Sequence, residues 1–224
     1  MSLDDAYLQF EWEENHSGEN LSITITNYIG KDTDVIIPQK IGNFTVTRIG
    51  NSAFMSKKLT SVIIPSSVNS IMQFAFMMNS LEEIVIPNNV TSINQSAFLM
   101  NNLCNLIIPD NVRYIGIGAF GRNNELTSVV IGKNVIYIEE NAFRFCKIEE
   151  VFLPPNLKSV GSYAFAFGDE FGNDTWWYLQ KIVIGNNVEI GENAFPDEFI
   201  SLYNFNGKKS GTYIITNEGI WGKE

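Results

Sequence analysis

The apolar positions of the chain return with a fixed period. The dipeptide Ala-Phe stands at Ala53-Phe54, Ala75-Phe76, Ala97-Phe98, Ala119-Phe120, Ala142-Phe143, Ala164-Phe165 and Ala194-Phe195, and the phenylalanines are 22, 22, 22, 23, 22 and 30 residues apart. Ahead of each of the last six lies a short segment with apolar residues at its first, fourth and sixth places: residues 59–65, 81–87, 103–109, 126–132, 148–154 and 179–185. Residues 32–38 form a first copy without the leading Leu. Strand side chains alternate, so Val62 and Ile64 are predicted to face inward and Ser61 and Ile63 outward. Pro65, Pro87, Pro109 and Pro154, with Gly132 and Gly185 in the same place, end the strands, because proline lacks a donor for the ladder and fixes its own φ.

A second, shorter extended segment follows each turn. Its apolar pairs are Val68 and Ile71, Val90 and Ile93, Val112 and Ile115, Val135 and Ile138, Leu157 and Val160, and in looser form Val188 and Ile190. At the Ala-Phe step, alanine allows neighbouring coils to approach and phenylalanine fills the interior, so rings stacked at roughly 5 Å per coil are expected to form a column. A period of 20 to 29 residues with this spacing is that of a leucine-rich-repeat solenoid.

A solenoid leaves a raw apolar face at each end, so caps are expected. Tyr7, Phe10 and Trp12, then Leu21, Ile23 and Ile25 in strict alternation, flank residues 15–19 and predict a β-hairpin over the first coil. His16 is read as a residue of that turn rather than a ligand. Residues 202–205, 213–216 and 220–221, separated by Asn206-Gly207 and Glu218-Gly219, predict a closing β-meander. The division is then 1–31 as the N-terminal β-hairpin cap, 32–198 as about seven coils of 22–23 residues with an insertion near 168–177, and 199–224 as the C-terminal β-meander cap. Capped ends disfavour end-to-end stacking, and a monomer is expected.

Composition narrows the function. There are 25 acids against 15 bases, one His and two Cys, with a net charge of -10. Residues 1–34 hold eight acids and one base, so the acidity belongs mainly to the first cap and the body is nearly neutral. With 45% hydrophobic residues the chain is no disordered polymer, and no apolar run approaches the roughly 20 residues of a membrane span. A basic stripe for phosphate is missing, which excludes nucleic acid as the main partner. One histidine rules out a multi-histidine metal site. Phosphate-loop, dinucleotide-binding, nucleophile-elbow, zincin and C-x-x-C motifs are all missing. The acidic pairs Glu82-Glu83, Glu139-Glu140 and Glu149-Glu150 are expected to point to opposite faces of a strand, which is unsuited to a two-carboxylate site. No catalytic residue, metal or cofactor is therefore assigned.

Cys146 stands three residues after an Ala-Phe, in a column otherwise filled by Lys57, Asn79, Asn101, Asn123 and Gly168. That column is read as tolerant of polar residues. Cys104 lies in another column, and both thiols are expected to be free, inert and of core type.

Two surfaces are candidates. The outward apolar place is filled by Ile36, Ile63, Val85, Ile107, Val130, Phe152 and Val183, a strip roughly 30 Å long on the concave sheet. Beside it runs a polar column of Asp34, Ser61, Glu83, Asn105, Ser128, Glu150 and Lys181. Such a strip marks a binding groove for a protein ligand, or it reflects only the fit of β-branched residues to a sheet. The other candidate is the insertion, with Phe171, Trp176, Trp177 and Tyr178. Its aromatics either protrude for recognition or fold back on the neighbouring coil. Its acids Asp169, Glu170 and Asp174 match no calcium loop.

The pattern L-x-x-V-x-I-P, then V-x-x-I, then A-F, resembles the BspA-type leucine-rich repeat family over about residues 35–195. Residues 20–50 are similar to that family's opening segment, and 207–213 with Trp221 to its closing hairpin. The resemblance implies a right-handed, β-rich leucine-rich-repeat solenoid, with short parallel strands on the concave face, short extended or 3-10 segments on the convex side, and β-hairpin caps. It also implies an exported or surface-attached bacterial protein that contacts host extracellular-matrix or neighbouring-cell surface proteins. Asp4 and Asp5 directly after Met1–Leu3 are no secretory leader. With the free cysteines, that leaves a cytoplasmic protein-interaction scaffold as the alternative.

Overall fold

A computed structural model describes residues 7–13, 22–168, 174–175, 178–216 and 219–224. The chain winds into a β-solenoid. On its front, Asp34–Ile36, Ser61–Ile63, Asn105–Ile107, Ser128–Val130 and Glu150–Phe152 are short parallel strands whose middle residue is buried and whose flanking residues are exposed or half-buried, and Lys181–Ile184 continues the alternation with Ile182 and Ile184 buried. The predicted alternation holds: Val62 and Ile64 are buried while Ser61 and Ile63 are exposed. Equivalent residues pair from coil to coil, Asp34 with Ser61 and Glu150 with Lys181.

The back carries the longer ladder. Phe44–Ile49, Ser70–Ile71, Ser92–Ile93, Tyr114–Ile115, Tyr137–Ile138, Ser159–Val160 and Glu189–Ile190 join in one parallel sheet. The segments expected to be merely extended or 3-10 are thus the better-paired side. Each of these strands except the last buries its Ile or Val and directs its N–H and C=O groups along the stacking axis, where the next coil answers them.

At the corner between back and front, the Ala-Phe rings stack as expected, with centroids 5.1–5.5 Å apart from Phe54 through Phe195. Tyr28 opens the column 5.6 Å from Phe54, and Phe199 closes it edge-on 5.3 Å from Phe195. The residue before each Ala has a positive φ, as at Ser52, Phe74, Ser96, Gly118, Asn141, Tyr163 and Asn193. That left-handed step swings the chain around the corner. It also lets the Phe N–H of one coil donate to the Ala carbonyl of the next, Phe54 to Ala75 and Phe98 to Ala119, both at 2.8 Å.

The opening cap is an antiparallel pair, Leu8–Glu13 with Ser22–Tyr28, whose second strand runs parallel to Phe44–Ile49. Its turn, with His16, lies outside the described residues. The closing cap differs from the predicted meander: Asp197–Phe205 is an α-helix, so residues 202–205 are not a strand. Phe199 and Tyr203, four apart, lie on one helical face and are both buried, and the acids Asp197 and Glu198 stand in the first turn. Gly207, at φ 66°, follows the helix end. Gly211–Ile215 and Trp221–Lys223 form the closing hairpin, laid antiparallel on Lys181–Ile184.

Candidate functional site

The front face presents a continuous apolar line. Ile63, Val85, Ile107, Val130 and Phe152 are exposed, Val85 to 81% and Ile107 to 67%, and Ile36 and Val183 at the two ends are half-buried. In the polar column Asp34, Ser61, Glu83, Asn105, Ser128 and Glu150 are exposed and Lys181 is half-buried, its Nζ 5.3 Å over the Phe152 ring. The strip and its border are therefore brought side by side as the alternation requires.

Pairing along this face is not continuous. Residues 81–87 repeat the burial pattern of their neighbours, with Leu81, Ile84 and Ile86 inside. Yet Asp34–Ile36 pairs only with Ser61–Ile63, and Asn105–Ile107 only with Ser128–Val130. Among the described residues the copy between them forms no strand pair, although the Cys104 N–H still donates to the Glu82 carbonyl at 3.1 Å, and a second break separates Ser128–Val130 from Glu150–Phe152. A groove of about 610 Å³ opens there, lined among others by Glu82, Glu83, Val85, Cys104 and Ile107.

Two expectations are corrected at this groove. Glu82 and Glu83 do not point to opposite faces: both are exposed and both line it. Strict alternation starts only at Glu83, because Leu81 enters the core from the turn before the extended segment. Cys104 is exposed and not of core type. It fills the second place of its copy, as Thr60, Glu82 and Thr127 do, and that place faces water. Cys146 is a buried free thiol, and burial pushes it up to about 12.

The column read as merely tolerant of polar residues holds the front strands in place. Asn79 accepts at Oδ1 from the N–H groups of Lys57 and Leu59, at 3.1 and 3.0 Å, and donates from Nδ2 to the carbonyls of Phe54 and Phe76, at 2.8 and 2.9 Å. Asn101 and Asn123 repeat this one and two coils on, accepting from Leu81 and Leu103. Cys146 keeps the donor half, from Sγ to the Phe120 carbonyl at 3.4 Å, and its sulfur is answered by the Asn123 backbone N–H. The bond to the leading Leu is not needed there, because the one-residue-longer coil lets the Leu126 N–H bond the Asn123 carbonyl at 3.0 Å. Three asparagines at a 22-residue spacing were the signal for this ladder.

In the insertion, Phe167–Gly168 pairs antiparallel with Asp174–Thr175. Tyr178 folds back, its ring edge-on to Phe167 at 5.1 Å. Phe171, Trp176 and Trp177 lie outside the described residues, as do Asp169 and Glu170. Next to the insertion stands a cluster the pattern did not announce: Arg122 and Arg144 lie over the Phe145 ring at 4.5 and 4.9 Å, and Arg144 over Tyr163 at 4.7 Å. Among the described residues no group of three metal-ligating side chains occurs, and no helix is long and apolar enough to cross a membrane.

Residues 47–171 match the BspA type leucine rich repeat region, in six copies. No curated protein matches the chain. Three solved structures share the fold. A leucine rich cell surface protein from Faecalibacterium prausnitzii is 22% identical, with a TM-score of 0.59 over 99% of this chain and 60% of its own. The leucine rich repeat protein of T. pallidum is 21% identical, with a TM-score of 0.56 over 92% and 96%. The pneumococcal vaccine antigen PcpA is 19% identical, with a TM-score of 0.63 over 88% and 67%. The chain spans less than two thirds of the length of the Faecalibacterium protein.

Proposed function

The chain belongs to the BspA-type leucine-rich repeat family, and from that premise we propose that it is a non-catalytic protein-binding module of a bacterial cell surface, meeting its partner through the front strip. The observation that carries this reading is the run of five exposed apolar side chains on successive coils, Ile63, Val85, Ile107, Val130 and Phe152, along a polar border. Contiguous exposed apolar surface with a polar rim is what protein interfaces use, and solenoids bind along such extended faces. A surface role draws support from the leucine rich cell surface protein with the same fold. On this reading the partner is a protein of the host matrix or of a neighbouring cell.

The test is capture of surface and matrix proteins by the wild-type chain, compared with Ile107→Glu and Val130→Glu. Both side chains are exposed, so stability should change by no more than about 0.5 kcal/mol. Loss of captured partners at unchanged thermal midpoint supports the proposal. Undiminished capture by both variants overturns it.

A further inference from the structure

Resting on that reading of the front face, we propose that the groove at residues 81–87 takes a cationic segment of a partner polypeptide, a Lys or Arg side chain against Glu82 and Glu83 with a large apolar neighbour on Val85 and Ile107. Three features of the groove point the same way. It lies where the front ladder is interrupted, so among the described residues the backbone groups of Glu83–Ile86 have no backbone partner and can meet those of a bound segment. Its volume, about 610 Å³, falls within the roughly 300–1,000 Å³ of clefts that hold small ligands or a few side chains. Its floor is apolar, with Ile84, Ile86 and Leu106, while two exposed carboxylates stand on its rim.

The sign of the charge selects the occupant. Elsewhere acids meet lysines: Lys133 pairs with Asp110 at 2.9 Å and Lys147 with Glu125 at 3.2 Å in the turns beside the front strands, and Lys181 lies in register with Glu150 on the face itself. Among the described residues neither Glu82 nor Glu83 forms an ion pair, not even with Lys57 and Lys58, which precede the front strand of the coil before. Two uncompensated carboxylates beside apolar surface attract a cation and repel an acidic peptide or a phosphate. A metal ion is poorly served, since no third ligating side chain joins them among the described residues. An aliphatic cationic stem with its charge at the tip suits an apolar floor under an acidic rim.

Short random peptides displayed in a library and selected on the wild-type chain provide the probe, and Cys104 in the groove provides the footprint. Cys104 is exposed and Cys146 is buried with a raised pKa, so alkylation reads one site. The expected result is enrichment of Lys or Arg next to Leu, Phe or Trp, protection of Cys104 by the selected peptides, and affinity that falls with salt. The Glu82→Gln/Glu83→Gln double variant should bind them about tenfold more weakly at an unchanged thermal midpoint. Failure to enrich, neutral or acidic selected sequences, or full affinity of the double variant each overturn the inference. If selected peptides ignore Glu82 and Glu83 yet are lost in Val130→Glu, the strip reading survives and this one falls. If capture of surface proteins is indifferent to Ile107→Glu and Val130→Glu, the strip reading falls on its own.

Discussion

Asn101 Nδ2 donates to the carbonyl of Phe76, one coil earlier, at 3.0 Å, while Asn101 Oδ1 accepts the N–H of Leu81 at 3.2 Å. One buried amide thus ties the ring column to the start of a front strand. Removing it orphans groups on both sides, and an unsatisfied buried donor or acceptor costs about 1–3 kcal/mol. Asn101→Ala should lower stability by about 2–4 kcal/mol in denaturant titration.

The same ladder predicts an asymmetry between Asn123 and Cys146. Leu126 N–H already has the Asn123 carbonyl, so the side chain at 146 need not accept from it. Leu103 N–H has the Asn123 side chain as its acceptor, and a thiol is a weak one. Asn123→Cys should therefore cost about 1–3 kcal/mol, while Cys146→Asn, whose carbonyl oxygen gains no such partner, should not improve on wild type. Matched denaturation midpoints check both.

Burial holds the Cys146 thiol protonated in the fold, with its pKa moved from an ordinary value near 9 to about 12. The folded state then keeps a proton that the unfolded chain releases, so this residue's contribution is flat below about pH 9 and falls as pH rises toward 12. Between pH 7.5 and 10 wild type should lose about 1 kcal/mol more than Cys146→Ala. Equal losses in the two proteins would place that thiol in contact with water.

The closing cap depends on Tyr203, whose hydroxyl donates to the Gly185 carbonyl at 2.8 Å and accepts the Val188 N–H at 3.0 Å. Helix and last coil meet at that oxygen. Tyr203→Phe keeps the ring contacts with Phe199 and Tyr213 but strands the Val188 donor, and should cost about 1–3 kcal/mol. The loss should appear first as faster exchange of amides in Asp197–Phe205, measured by hydrogen exchange.

Legibility followed the reach of each signal. Ser61, Val62 and Ile63 were readable because a strand has period two and one face is buried, and the ring column because Ala-Phe recurs in step. Phe199 and Tyr203 carry a helical spacing of four, but a turn signal such as Asn206-Gly207 closes a helix as readily as it bounds a strand. The 22-residue spacing of Asn79, Asn101 and Asn123 signals a repeated role, yet their bonds reach the preceding coil, 20 to 25 residues away in sequence, and spacing does not say which groups they satisfy. Glu82 and Glu83 are adjacent in sequence yet share a face, because strict alternation begins only at Glu83 and adjacency does not show where it begins. The interruption at 81–87 left no trace at all, since that copy repeats the pattern of its paired neighbours.

That interruption has a direct consequence for exchange. Ile84 and Ile86 are buried as deeply as strand residues, so burial alone would give their amides strong protection. Among the described residues, however, no backbone partner answers Glu83–Ile86, while Asn94 and Gly116 donate to Ile71 and Ile93 on the back. Protection follows hydrogen bonding and the free energy of local opening more than side-chain burial. Peptides spanning 82–87 should thus exchange well before those spanning 91–97, although both belong to the same coil and the same core. Binding of a cationic peptide in the groove should slow 82–87 selectively, because it orders that segment while the back ladder is already closed. Equal protection of the two stretches in the free protein would mean that the front ladder runs through 81–87, and the groove would lose its structural basis.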